Sequence, residues 1–421
     1  MEPGLEEAPV AMEPDRLYDL YGFELAASVQ IQAIRLQCDG AASRAESAWA
    51  PYVQAGRLPG DAKLKAMARA GVPPTLRAWV WMEASGAAAR HAAVSPSYFG
   101  GMALAGEGAS PHLKQIDQDV RCAFPNHPWL RGAEGQAAAR RVLAAFSMHN
   151  PRVGYTRPLS HVVGLLLVAL NRNQESAFWL LAQLVEGTQL EGTFAPNLVG
   201  CQVEMRALEE LLQAKLPRLA AHMAALEADV SVIATDWYLS LFAASMPSES
   251  AARVWDALLN EGPKVLFRVA LALLTINEQQ LLAFDNAGEM ILHMRRAAAG
   301  LHDRDRLMAV ATDGVGSLPM AVIERYRGQS ARDVDAALHG RAGGGGGGGR
   351  GAGQQQGGDE ELNEELRELR EKAGMLTAVA ASGLKKGFGA LVAAGKKAAA
   401  GGDKQGGGGG GGVSGVPGGG A

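Results

Sequence analysis

The chain has 421 residues, 48% of them apolar, and its 40 basic and 44 acidic side chains leave a formal charge of −4. That is enough apolar matter for one large core, and no field of one sign points to nucleic acid as a partner. Cys38, Cys122 and Cys201 are odd in number and far apart, which suits neither a disulfide framework nor a zinc site with short ligand spacing, so no metal is expected.

In chain order, residues 1–15 are acidic at Met1–Glu7 and lack the basic and apolar regions of a signal peptide, so a disordered start on a cytoplasmic chain is expected. From there to about His339 the punctuation is helical. Apolar-periodic segments of ten to fifteen residues alternate with short Pro, Gly or Asn breaks. Residues 16–70 read as a helical lead-in and 71–285 as the core of the domain. The longest apolar run, Val162–Leu170, is well short of the roughly 20 residues that cross a bilayer, and reads as a buried helix. Ser176–Val185 is amphipathic, with Gly187 as its stop signal. Asp236 is placed to cap a helix carrying Trp237, Leu239, Leu241 and Phe242, which Pro247 ends. Ser248 is placed to cap a second through Trp255, and Lys264–Ile276 forms a third.

Residues 286–339 read as closing helices of the same domain. At Gly340 the composition shifts to a low-complexity tail, 340–421, with uninterrupted glycine at 343–349 and 406–412. Glycine loses the most backbone entropy on ordering, so this region is expected to be flexible. Near 359–380, Leu362, Leu366, Leu369, Ala373 and Leu376 follow a 4-3-4-3 spacing, which reads as a short amphipathic helix rather than an oligomerisation coil. The lysines of 383–397 around Phe388 and Leu391 leave two readings, a solvated tail or peripheral contact with acidic lipid on endomembranes.

Several catalytic patterns are set aside. The glycine runs match a dinucleotide fingerprint trivially, without a strand before them. Gly389–Lys397 departs from a P-loop in glycine spacing and in lacking the Ser or Thr that meets magnesium. Single histidines such as His161 read as packed or surface residues. From the residues alone the chain is a helical binding module.

Four segments, in order, carry a family resemblance: Gly71–Trp81 with Ser85–Ala87; Ile116–Pro125; Asn150–Tyr155; and Trp237–Phe242 with Val254–Asp256 and Glu261–Ala270. Together they resemble the TBC-domain family of Rab GTPase-activating proteins, and Leu20–Glu24 is similar to the lead-in of some members. The resemblance implies an all-α fold, a single large multi-helix domain, and a Rab-family small GTPase as partner in vesicle trafficking. It implies no cofactor of the chain's own, because GTP and Mg²⁺ belong to the partner. Family chemistry uses an arginine that neutralises charge on the transferring phosphoryl group and a glutamine that orients the attacking water. Counted along the motifs, Cys122 stands at the arginine position and Arg157 at the glutamine position. Arginine has only donors and cannot accept a hydrogen bond from water. Arg121 and Arg157 are the candidate substitutes, and Arg157 is equally open to a surface ion-pair role. The resemblance assigns GTPase contacts to Asp119, Tyr155 and Arg77. Three functions stay open: a GTPase-binding regulator with weak or absent activating power, an activator using Arg121 or Arg157, and a trafficking scaffold that does not bind GTP-loaded Rab.

Overall fold

The computed structural model describes residues 17–189, 192–195 and 197–343. The residues before and after, with the glycine-rich tail, its segment near 359–380 and the lysines of 383–397, lie outside the described residues.

The chain enters as a tight strap, residues 17–26, closed by one antiparallel bridge between Tyr18 and Glu24. No other strand pairing occurs among the described residues. Helix α1, Val29–Ala55, is capped at its start by the Ser28 side chain and stopped by Gly56 at φ +61°, the left-handed conformation that glycine tolerates best. Helix α2 is Asp61–Ala70, and Trp49 of α1 packs with Leu64, Val72 and Val80 in a small satellite core. Helices α3 (Arg77–Ala84), α4 (Ala87–Ala92), α5 (Tyr98–Ala109) and α6 (Leu113–Ala123) lead to the long α7, Ala133–His149. Helices α5 and α7 approach closely at Gly106, where a Cβ would meet the Ala144 carbonyl oxygen at 2.4 Å.

The main core lies around α8, Pro158–Ala169, and α9, Gln174–Ala182. Val162, Val163, Leu166 and Leu167 are fully buried, as the unbroken apolar run predicts. Gly187 does not stop the next helix, because a π-turn, Gln183–Thr188, carries α9 through it. Helices α10 (Val199–Lys215), α11 (Pro217–Ala225) and α12 (Ser231–Leu239) follow.

Two capping expectations are corrected here. Asp236 lies inside α12, and the helix ends because Leu241 and Phe242 take φ +51° and +67°. Ser248 is the first residue of α13, Ser248–Glu261, but its hydroxyl donates to Asp19 rather than capping the helix. The third expected helix is α14, and it runs further than the sequence suggests, Lys264–Leu281. Helices α15 (Ala287–Ala299), α16 (Arg304–Ala309) and α17 (Met320–Gly343) complete the fold. Arg327 of α17 makes a two-point ion pair with buried Glu204 of α10. Among the described residues, no helix is long and apolar enough to cross a membrane.

Candidate functional site

The site is built on α6. Ile116 and Val120 bury one face of this helix, and Asp117 accepts a hydrogen bond from Arg140 Nε of α7 at 2.8 Å. These contacts leave Asp119, Arg121 and Cys122 outside the core. At about 100° per residue, Cys122 returns close to the azimuth of Asp119, whereas Arg121 lies roughly 200° away from it. Cys122 is an exposed free thiol. Arg121 is also exposed, and it has no hydrogen bond or ion pair among the described residues.

The loop after α7 faces Asp119. Asn150 shapes it, accepting the Val153 N–H on its side chain at 3.1 Å and the Gly154 N–H on its carbonyl at 2.8 Å. Gly154 has φ +59°, and a Cβ there would collide with His112, so the turn requires glycine. Tyr155 follows, only 5% exposed, and its hydroxyl donates to Asp119 Oδ2 at 3.0 Å. Burial first, and the Asp119 charge second, push the Tyr155 phenol well above its ordinary value, so it stays a neutral donor. Arg157 stands at the N-cap of α8, with Pro158 next, where a missing N–H costs nothing. The Arg157 carbonyl accepts the Ser160 hydroxyl at 2.7 Å. Its side chain is 62% exposed, with Nε 3.8 Å from Asp119 Oδ1. Such a pair is loose and worth little in stability. Burial and the nearby Arg157 charge lower His161 to about 4, so at neutral pH its ring is an uncharged wall of the site, edge-on to Phe124 at 5.3 Å.

A brace that sequence reasoning missed holds the base of this loop. Glu186 accepts from Asn150 Nδ2 at 2.8 Å, pairs with Arg90 at 2.5 Å, and lies 3.4 Å from His149. Burial alone would raise the Glu186 carboxyl, but hydrogen bonds from His149, Arg90 and Asn150 hold it down at about 2. The π-turn aims Glu186 at these partners, and such turns often mark functional regions. No sequence signal encodes it.

The structure thus brings Asp119, Tyr155 and Arg157 together, with Cys122 beside them and Arg121 turned away. It does not bring Arg77 to the site. Arg77 is 3% exposed, donates to both Asp256 oxygens at 2.9 Å, and meets the Tyr21 hydroxyl. A guanidinium with both ends engaged in the interior is not offered to a partner, so its assignment as a GTPase contact is corrected to a structural anchor. Tyr155 is likewise buried, and its hydroxyl reaches Asp119 rather than the surface. Among the described residues no cluster of His, Cys, Asp or Glu could hold a metal ion.

Comparison with known proteins matches the Rab-GTPase-TBC domain family over residues 74–282. The crystal structure of the Chlamydomonas flagellar RabGAP TBC domain is 50% identical, covers 70% of this chain and 100% of that one, and superposes with a TM-score of 0.67. The chain belongs to the TBC family of Rab-GAP domains. TBC1 domain family member 2A of Mus musculus is 32% identical over 350 residues, 79% of this chain, and the match spans 38% of that relative's length. The Ypt/Rab-GAP domain of Gyp1p, at 16% identity and a TM-score of 0.56 with 65% of this chain and 98% of that one covered, shares the TBC fold.

Proposed function

We propose that this chain binds a Rab-type small GTPase in membrane trafficking, at the cytoplasmic side of endomembranes, through the end of α6 and the loop 150–157, with weak or absent acceleration of GTP hydrolysis. The observation that carries this reading is the composition of the site surface. An exposed thiol, Cys122, occupies the face next to Asp119, and the residue opposite is an arginine, which has no acceptor for the attacking water. An arginine finger in related GTPase chemistry is worth about a thousandfold to a hundred-thousandfold in rate, so its replacement by a thiol removes most of the activating power. The chain is then a binding regulator, not an enzyme by itself.

A second reading is favoured by one specific contact. Arg157 already places a guanidinium 3.8 Å from Asp119 and mostly in solvent, which is where a relocated charge-neutralising group would be presented. Arg121 has no such support. Single-turnover phosphate release from a panel of GTP-loaded Rab proteins separates the two readings. No acceleration by the wild type is the expected result. Acceleration abolished by Arg157→Ala but kept in Arg121→Ala would establish the relocated finger instead.

A further inference from the structure

The strap ahead of α1 lies outside the family match, yet it is tied to three parts of the domain. Its own turn is set by Asp19, whose Oδ1 accepts the Tyr21 and Phe23 N–H groups at 2.9 and 2.8 Å. Asp19 also takes the Ser248 hydroxyl, and the Leu20 N–H donates to Glu249 at 2.8 Å, which fixes the strap to the start of α13. The Tyr21 hydroxyl meets Arg77 of α3. The third tie reaches the site itself.

His127, just past α6, accepts the Trp129 and Leu130 N–H groups on Nδ1 at 3.2 and 3.0 Å. Its proton therefore sits on Nε2, which donates to the Tyr21 carbonyl at 2.7 Å. Phe23 packs edge-on against His127 at 4.6 Å and against Phe124 at 5.1 Å. Phe124 in turn lies against His161 and fills the room left by Gly164, where a Cβ would meet its ring at 2.5 Å. Open clefts of about 340 and 430 Å³ adjoin this contact, both lined by Phe23, Leu25, Ala123 and Phe124. The Phe23 ring and the Tyr21 carbonyl connect the strap to the end of α6.

We propose that the strap is a positioning element of the GTPase-binding site, with Phe23 as the residue that holds the Cys122–Phe124 end of α6 in register with Asp119 and the loop 150–157. The ring transmits the position of α13 and α3, to which the strap is hydrogen-bonded, to the helix end that carries the site. Its effect on affinity rests on the GTPase-binding reading, whereas its effect on the order of the α6 end does not.

The test uses the full chain and Phe23→Ala, with Phe23→Tyr as the variant that keeps the ring. Native-state hydrogen exchange is read at the amides of 121–130 and at those of α14. The expected result is exchange about two- to tenfold faster at 121–130 in Phe23→Ala, the range that the loss of edge-on ring pairs implies. In α14 the rate stays unchanged, and Phe23→Tyr behaves as the wild type. Unchanged exchange at 121–130, or the same factor in α14, would overturn the proposal, the latter reducing Phe23 to general stability. If Phe23→Ala does not fold, Phe23→Leu, which removes the ring but keeps apolar volume, decides the same question. A panel of GTP-loaded Rab proteins adds the functional readout. Weaker binding by Phe23→Ala at unchanged exchange in α14 supports the positioning role. Faster exchange at 121–130 with unaltered affinity overturns it, and absence of wild-type binding counts against the GTPase reading alone.

Discussion

Asp256 and Asp119 each gather an arginine and an aromatic donor, and they differ in everything else. Asp256 is 2% exposed and accepts from Arg77 twice, from Trp81 Nε1 at 2.9 Å and from the Val72 N–H at 3.1 Å. Asp119 takes the Tyr155 hydroxyl at 3.0 Å, but its arginine stands at 3.8 Å and mostly in water. The buried carboxylate is saturated and its partners cannot leave without exposing an unpaired charge. The outer one keeps capacity to spare, and its arginine stays largely exposed to solvent. Similar side chains thus build a closed anchor in one place and an exposed, loosely paired cluster in the other, and what separates them is desolvation.

The largest expected effect breaks the inner cluster. Asp256→Asn leaves the Arg77 guanidinium buried without its counter-charge, and about 3–5 kcal/mol of stability should be lost. Denaturant unfolding checks this, and a loss below about 1 kcal/mol would mean that Arg77 is not the anchor described. A smaller effect comes from the wall of the outer site. His161 is held at about 4 against an ordinary 6.5, so between these values the unfolded chain binds more protons than the folded one. Its contribution is complete above about 6.5 and is lost as pH falls toward 4. Melting temperature followed over this window should fall less steeply in His161→Gln than in the wild type. The smallest effect is at Arg157. Arg157→Ala should change stability by less than about 0.5 kcal/mol, while relieving the charge that helps depress His161, so that the His161 titration followed by NMR moves upward. A large loss of stability in Arg157→Ala would erase the contrast between the two clusters.

Much of this was legible from residue order. Val162–Leu170 reads as a buried helix because nothing in it needs water, and the spacing of Asp119 and Cys122 along one helix places them on neighbouring azimuths. The end of α12 was not legible, since Leu241 and Phe242 are apolar residues in a left-handed conformation that hydropathy does not encode. Gly187 misled because a π-turn absorbs it. The role of Arg77 depends on Asp256, 179 residues later, a pairing that no local pattern announces. Tyr155 and Arg157 were marked by their motif, but that both reach the Asp119 carboxylate is a tertiary fact.

The central claim is that the Asp119–Arg157 face meets a GTPase. The most direct measurement is binding of the full chain to a panel of Rab proteins locked with GTP or GDP analogues, with Arg157→Glu beside the wild type. GTP-dependent binding to at least one member, weakened about tenfold or more by the charge reversal, is the predicted result. Binding that ignores the nucleotide or the reversal, or no binding across the panel, would contradict it.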